Sequence, residues 1–276
     1  LGFGAIHTAT NIGILYWFPT NKRGLAMGIK QMGVTIGSAL SVILVLPIAL
    51  NIGWRSATIL LSICLFTFGI LVFVLYRDSP SKKVSQKKST TKDLTNNISL
   101  LIKNKLVWSI SLTAAVICGI QMSWNTFIVF FSIEKFEIPL LTASFMLVIS
   151  EISGSFGRLL WGTISDTFFG SRRIIILIII SLLTTSTSLI LAFIPAQTPI
   201  IYLYIIAIIF GFSVSGFNGI WMNAATEAVT KDISGIASGF SLTIGSLGIV
   251  LIPPVFGFIV DKMSYLFAWL FLLVLS

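Results

Sequence analysis

The sequence predicts an all-α membrane protein, a two-half helical bundle with nine transmembrane segments. Three observations carry that expectation. Of 276 residues, 56% are apolar and only 10% are charged, with a mean hydropathy of +1.01; a soluble domain of this length needs far more polar surface. Apolar runs of about 20 residues, the length at which a helix crosses ~30 Å of hydrocarbon, recur along the whole chain. None of these runs alternates as the ~10-residue strands of a membrane barrel do.

In order, the runs cover residues 1–18, 24–50, 54–76, 106–132, 141–164, 173–194, 199–224 and 234–260, followed by a stub from 263. The first begins at Leu1 and reads as helix interior without a basic leader, so no signal peptide is expected there. The last is too short to span, and the chain is expected to be a fragment. Lys and Arg are distributed unevenly among the connections. Fourteen of the 18 basic residues lie in one alternate set: Lys22 and Arg23, residues 77–105, Arg158, Arg172, Arg173 and Lys231. The other set holds Arg55, Lys135 and Lys262, and Lys30 lies within a run. The richer set marks the cytoplasmic side, so the net charge of +9 signals topology and not nucleic acid. Cys64 and Cys118 sit inside apolar runs without metal-ligand spacing and read as packing residues.

Residues 77–105 form the one long connection, rich in Lys, Ser and Thr. It divides the chain into a first bundle part (1–76), a cytoplasmic linker (77–105) and a second bundle (106–276). Its end puts Ile98, Leu101 and Ile102 on one helical face, suited either to the inner leaflet or to a plain solvated linker.

The two halves carry a repeat. Gly24-Leu-Ala-Met-Gly28 returns as Gly235-Ile-Ala-Ser-Gly239, each opening a helix just after a cytoplasmic connection. Gly33 and Gly37 follow the first copy, Gly245 and Gly248 the second, and prolines come later in both. Small residues at this spacing let helix backbones approach closely in lipid, so Gly24, Gly28, Gly33, Gly37, Gly235 and Gly239 are expected to pack helices. A parallel repeat of two helical halves is one known transporter layout.

On these residues the chain resembles the major facilitator superfamily over essentially its whole length. Trp17-Phe-Pro19, Lys22-Arg23-Gly24, the glycines to Gly37 and Gly53-Trp54-Arg55 are similar to that family's fourth-to-sixth-helix region. Gly162-Thr-Ile-Ser-Asp166, followed by Gly170 and Arg172-Arg173, resembles its signature between the eighth and ninth helices. The resemblance implies a twelve-helix protein seen here from its fourth helix to its twelfth. It also implies a cytoplasmic gate at Gly162, Asp166, Gly170, Arg172 and Arg173, with the Asp166 carboxylate meeting the positive end of a helix in the other half. Thr167 stands where the family carries a cation, and Gly170 is one residue late. Ser38 and Ser41 depart from the glycine–proline ending of drug–proton antiporters.

Ionisable groups inside apolar runs are the candidates for chemistry, since each costs ~2.5–3.5 kcal/mol at a helix centre. Glu151 stands ten residues into its run with no basic residue within a turn. It is read as a proton-coupling carboxyl or as a structural acid bonded to a neighbouring helix. His7, with Asn11 one turn on, is a second proton carrier, a substrate ligand or a backbone cap. Lys30 either snorkels to the inner interface or puts its ammonium on a cavity wall, where it favours an anion. Gln121, Trp124 and Asn125 form one polar-aromatic cluster, and Asn218 and Trp221 another. Amides and indoles line small-molecule sites, and they also glue membrane helices together. The family resemblance places three of these helices at a central cavity.

These readings converge on a secondary transporter of a small solute, with an organic anion favoured, working by alternating access in the plasma membrane. The lipid bilayer and a coupling proton or other ion are the expected partners, with no cofactor, no metal, no nucleic acid and no enzymatic role. A monomer is expected at full length. No phosphate-binding G-x-x-x-x-G-K-[ST] occurs, which leaves an ion gradient as the energy source. The alternatives are a transporter-like sensor or scaffold, or a non-functional fragment.

Overall fold

A computed structural model describes Thr10, Trp17 and residues 20–77, 99–230 and 233–276. His7, Asn11, most of the run at 1–18, Lys231 and the linker at 78–98 lie outside the described residues. All regular structure among the described residues is helical. Lipid offers no partners to backbone N–H and C=O groups, so a spanning segment must satisfy them within itself. Seven helical stretches are long and apolar enough to cross a membrane: Ile29–Asn51, Trp54–Leu75, Lys105–Phe136, Leu140–Phe168, Arg173–Phe193, Ile200–Glu227 and Ser234–Lys262. Tyr265–Leu275 is a shorter apolar helix.

The chain forms two compact units, Leu1–Lys88 and Ser89–Ser276. In the first, α1 (Thr20–Leu40) passes through a π-helical stretch, Ser41–Val45, into α2 (Leu46–Asn51), with Pro47 at the start of the last piece. Proline there removes an N–H that a straight helix would have used, and the wider turn accommodates the loss. The chain then reverses at Gly53, whose φ of 104° suits glycine, and enters α3 (Trp54–Leu75). Nearly every side chain of α3 faces outward, Phe73 at 88% exposure, and only Ala57 is buried. Such a helix is solvated by hydrocarbon.

The second unit holds α4 (Lys105–Phe136), α5 (Leu140–Phe168), α6 (Arg173–Phe193), α7 (Ile200–Phe210), α8 (Asn218–Glu227), α9 (Ser234–Lys262) and α10 (Tyr265–Leu275). Asn104 caps α4 by accepting from the backbone N–H groups of Leu106 and Val107 at 3.0 and 3.3 Å, which satisfies two orphan donors. Pro139 and Pro199 precede α5 and α7. Helices α4 and α5 extend past the expected ends at 132 and 164, to Phe136 and Phe168. Charges at 134, 135 and 166 had marked those ends, but at a membrane edge a long side chain leaves the apolar zone without breaking the helix. Lys135 reaches back over the Phe131 ring at 5.4 Å.

The expected continuous helix at 199–224 is interrupted. Between α7 and α8 lies a π-helical stretch, Gly211–Ser215, in which the Gly216 N–H donates to Gly211 O at 3.1 Å, five residues back. The core of this unit is aromatic: Trp124 stacks on Phe210, and Trp269 meets Phe131 and Phe256 edge-on. In lipid such packing, not escape from water, holds helices together.

Close backbone approaches in the structure fall at glycines other than Gly33, Gly37, Gly235 and Gly239. A side chain at Gly33, Gly37, Gly235 or Gly239 would meet nothing within 4 Å. Close approaches fall elsewhere: Gly248 lies against the Ala115 carbonyl, and Gly154 and Gly157 lie against the Gly211–Ser215 stretch. The repeat marks where glycine is placed along a helix; which face meets a neighbour decides where it is needed. The linker's end also differs from both expected forms. Leu101 is buried against Val107 and Ala237, beside Val229 and Ile233, while Leu100 and Ile102 remain exposed.

Candidate functional site

The widened turn at Gly211–Ser215 shapes the polar interior of the second unit. By shifting the Gly216 N–H away from Phe212 O, it frees backbone oxygens that must find other donors. Helix α5 supplies them. Trp161 donates through Nε1 to Phe212 O at 2.8 Å, and Arg158 donates through Nε to Ser215 O at 2.9 Å. Asn218 adds a bond from Nδ2 to the same Ser215 O at 3.3 Å. Arg158 is only 7% exposed. This overturns its assignment to a cytoplasmic connection: a cation near the end of an apolar run resembles a boundary, but here α5 continues for ten more residues.

Seven residues before Arg158, on nearly the same helix face, stands Glu151 at 2% exposure. The spacing is close to two turns, about 10 Å along the axis. Arg158 is the opposite charge that acts on Glu151. The separation expected from "no basic residue within a turn" therefore holds only locally. From α4, Asn125 donates through Nδ2 to Glu151 Oε1 at 2.9 Å. One turn earlier, Gln121 donates through Nε2 to Ser215 Oγ at 3.2 Å. Glu151 with Asn125, and Gln121 and Arg158 with Ser215, thus bring two neighbouring sets of polar contacts together across α4, α5 and the π-helical stretch. Asn125 Oδ1 is buried without a hydrogen-bond partner.

Of the two readings of the tryptophans, the structure shows both joining helices in the interior of the second unit. Trp124 is fully buried and donates through Nε1 to Ser150 Oγ at 3.1 Å. Trp221 donates to Ser241 Oγ at 2.8 Å, and Ser111 Oγ donates to the same hydroxyl at 2.9 Å, joining α4, α8 and α9. An indole inside a bundle needs an acceptor for its N–H, and a serine on the facing helix is the smallest that serves. Gln121, Asn125 and Asn218 are half-buried, and so is Lys30 on α1.

At the end of α5, Gly170 (φ 55°) and Ser171 (φ 63°) make the tight turn into α6. Asp166 Oδ1 accepts from Arg173 Nη1 at 2.6 Å and from Ser171 Oγ at 2.8 Å. Arg173 also donates through Nε and Nη2 to the Glu227 carboxylate, at 3.2 and 3.3 Å. The guanidinium ties the α5–α6 turn to the end of α8. Asp166 is therefore partnered within its own unit, where the expectation gave it a helix end in the other half. Gly162 has open space around it, and Arg172 is exposed. Arg158, Ser150, Ser215, Ser241 and Glu227 are functional or structural partners that the sequence reading did not single out. For Arg158, its seven-residue spacing from Glu151 is the signal that would have found it.

Residues 1–253 match the family model described as Major Facilitator Superfamily. An uncharacterized MFS-type transporter of Mycobacterium tuberculosis is 28% identical over 255 residues, 92% of this chain and 55% of that protein. The glycerol-3-phosphate transporter of Bacillus subtilis is 23% identical over 270 residues, 91% of this chain and 60% of its own. The chain thus spans little more than half the length of these relatives. Among solved structures, a bacterial homologue of the human lysosomal transporter Spinster, inward-facing and occupied, aligns with a TM-score of 0.64. That alignment covers 96% of this chain and 70% of the other at 15% identity, which is a likeness of fold.

Proposed function

Because the chain belongs to the major facilitator superfamily, we propose that it works as a secondary transporter, moving a small organic anion by alternating access and driven by an ion gradient. The observation that carries this reading is the Glu151 carboxyl, 2% exposed inside a membrane helix and hydrogen-bonded to Asn125 of another. An ionisable group at that depth is costly and serves proton relay or substrate pathways where it persists. Glu151 takes up and releases the coupling proton, and His7 is a second carrier. Gln121, Asn125 and Asn218, half-buried amides, are the solute-binding candidates of the second unit, and Asn11 and Lys30 are those of the first. The ammonium of Lys30 favours an anion, a preference supported by the similarity to a glycerol-3-phosphate transporter.

In this reading the seven spans, the run at 1–18 and the helix Tyr265–Leu275 are nine of twelve transmembrane segments. Residues 1–76 and 106–276 belong to opposite bundles, the linker 77–105 is cytoplasmic, and the protein works as a monomer in the plasma membrane. The Arg173 clamp on Asp166 and Glu227 fixes the inner rim of the second bundle, where Gly170 and Arg172 complete the gate.

The test is transport by the full-length protein in liposomes under an imposed pH gradient, with glycerol 3-phosphate as the first probe and a panel of small organic anions after it. Accumulation of an anion that an uncoupler abolishes is the expected result. Binding of such an anion without accumulation would make the protein a sensor and end this reading.

A further inference from the structure

The polar cluster contains an unanswered group on the amide that bonds Glu151. Glu151 Oε1 accepts from Asn125 Nδ2, and the other end of the same amide, Oδ1, is buried with no partner. A buried acceptor left unmet costs about 1–3 kcal/mol. An ionised carboxylate cannot meet it, because it only accepts; a protonated carboxyl carries an O–H that can. The amide offers a donor and an acceptor on one planar group, and a turn of about 180° about its last torsion exchanges them. Asn125 is half-buried, whereas Glu151 is enclosed.

We propose that Asn125 is the positioning residue for the proton on Glu151: its amide donates Nδ2–H to the carboxylate and, after protonation, turns to accept the carboxyl O–H at Oδ1. No bond other than the O–H is made or broken, and the proton comes from water and returns to it. Both forms of the carboxyl are then hydrogen-bonded in the membrane, and the amide orientation records which form is present. The surroundings leave this exchange to Asn125. Arg158, on the same helix as Glu151, is the charged group that acts on it. The facing elements bring Gln121 from α4, Ser215 from the π-helical stretch and Asn218 from α8, none of which titrates. On α7, the phenol of Tyr204 donates to Thr142 O at 3.3 Å.

The inference rests on the reading of Glu151 as the proton carrier, and one experiment separates the two. The full-length protein is reconstituted in lipid and cycled between acidic and alkaline pH while infrared difference spectra record the C=O stretch of protonated carboxyls. A band lost in Glu151→Gln identifies the Glu151 proton. In Asn125→Leu, near-isosteric but without donor or acceptor, that band is expected to shift to higher frequency, because the O–H has lost its acceptor. Asn125→Ser, which keeps a hydroxyl, is expected to restore part of the hydrogen-bonded position, and a merely structural asparagine would not show this rescue. If Asn125→Leu does not fold, Asn125→Ala carries the same expectation. A Glu151 band at the same frequency in wild type and in the Leu or Ala variant overturns the proposal for Asn125 and leaves the Glu151 reading standing. Absence of any band lost in Glu151→Gln overturns the Glu151 reading, and the proposal with it.

Discussion

Arg158 shows how much a single side chain holds together in the second unit. Its guanidinium satisfies Ser215 O, released by the widened turn, and balances Glu151 two helical turns away. Removing it takes away a hydrogen bond from a charged donor, worth about 1.5–3 kcal/mol. Arg158→Met is therefore expected to lower the thermal unfolding temperature of the detergent-solubilised protein sharply. Adding Glu151→Gln should recover part of the loss, because the orphaned charge disappears with it. A double variant as unstable as the sum of the two single ones would show that the charges do not interact. Glu151, Asn125 and Gln121 were legible in the sequence, since polar groups in an apolar run stand out. The serines were not: Ser123, Ser186 and Ser213 return their hydroxyls to their own helix, and Ser150, Ser215 and Ser241 look the same on paper while serving a neighbouring helix. What distinguishes them is the face each helix presents, which a single sequence leaves open.

Helices show the same contrast between placement and contact. The glycine repeat is plain in the sequence, while the glycines that admit another backbone include Gly248 at Ala115, Gly211 at Ser150, and Gly154 and Gly157 at the π-helical stretch. Forcing a methyl into a well-packed contact costs roughly 1–3 kcal/mol. Gly248→Ala is accordingly expected to destabilise the protein by about that amount, since its new carbon would collide with the Ala115 carbonyl. Gly239→Ala, in open space within α9, is expected to gain about 0.5–1 kcal/mol from reduced backbone freedom. Thermal unfolding of the two variants side by side decides the matter, and equal destabilisation would contradict the packing described here. Among the described residues, the existence of the helices followed from run length, and their ends were read from flanking charges and turns. The interruption at Gly211–Ser215 did not, because it depends on Arg158 and Trp161 being there to meet the carbonyls it releases.

At the scale of the molecule, the proposed orientation rests on the uneven distribution of basic residues among the connections. The proposed cytoplasmic linker predicts that a cysteine at position 87 of the full-length protein reacts with an impermeant thiol reagent only in inside-out vesicles. Reaction in intact cells would reverse the topology. Family membership, the helical fold and the polar character of one helix pair were readable beforehand; the closure of that pair into a cluster around Glu151 required the structure. The measurement that bears most directly on the account is paired transport by the Glu151→Gln variant in liposomes, with a solute the wild type is found to carry. The account predicts that proton-driven accumulation is lost while solute-for-solute counterflow continues, since an amide of the same shape cannot cycle a proton. Undiminished proton-driven accumulation by the variant would remove Glu151 from the mechanism.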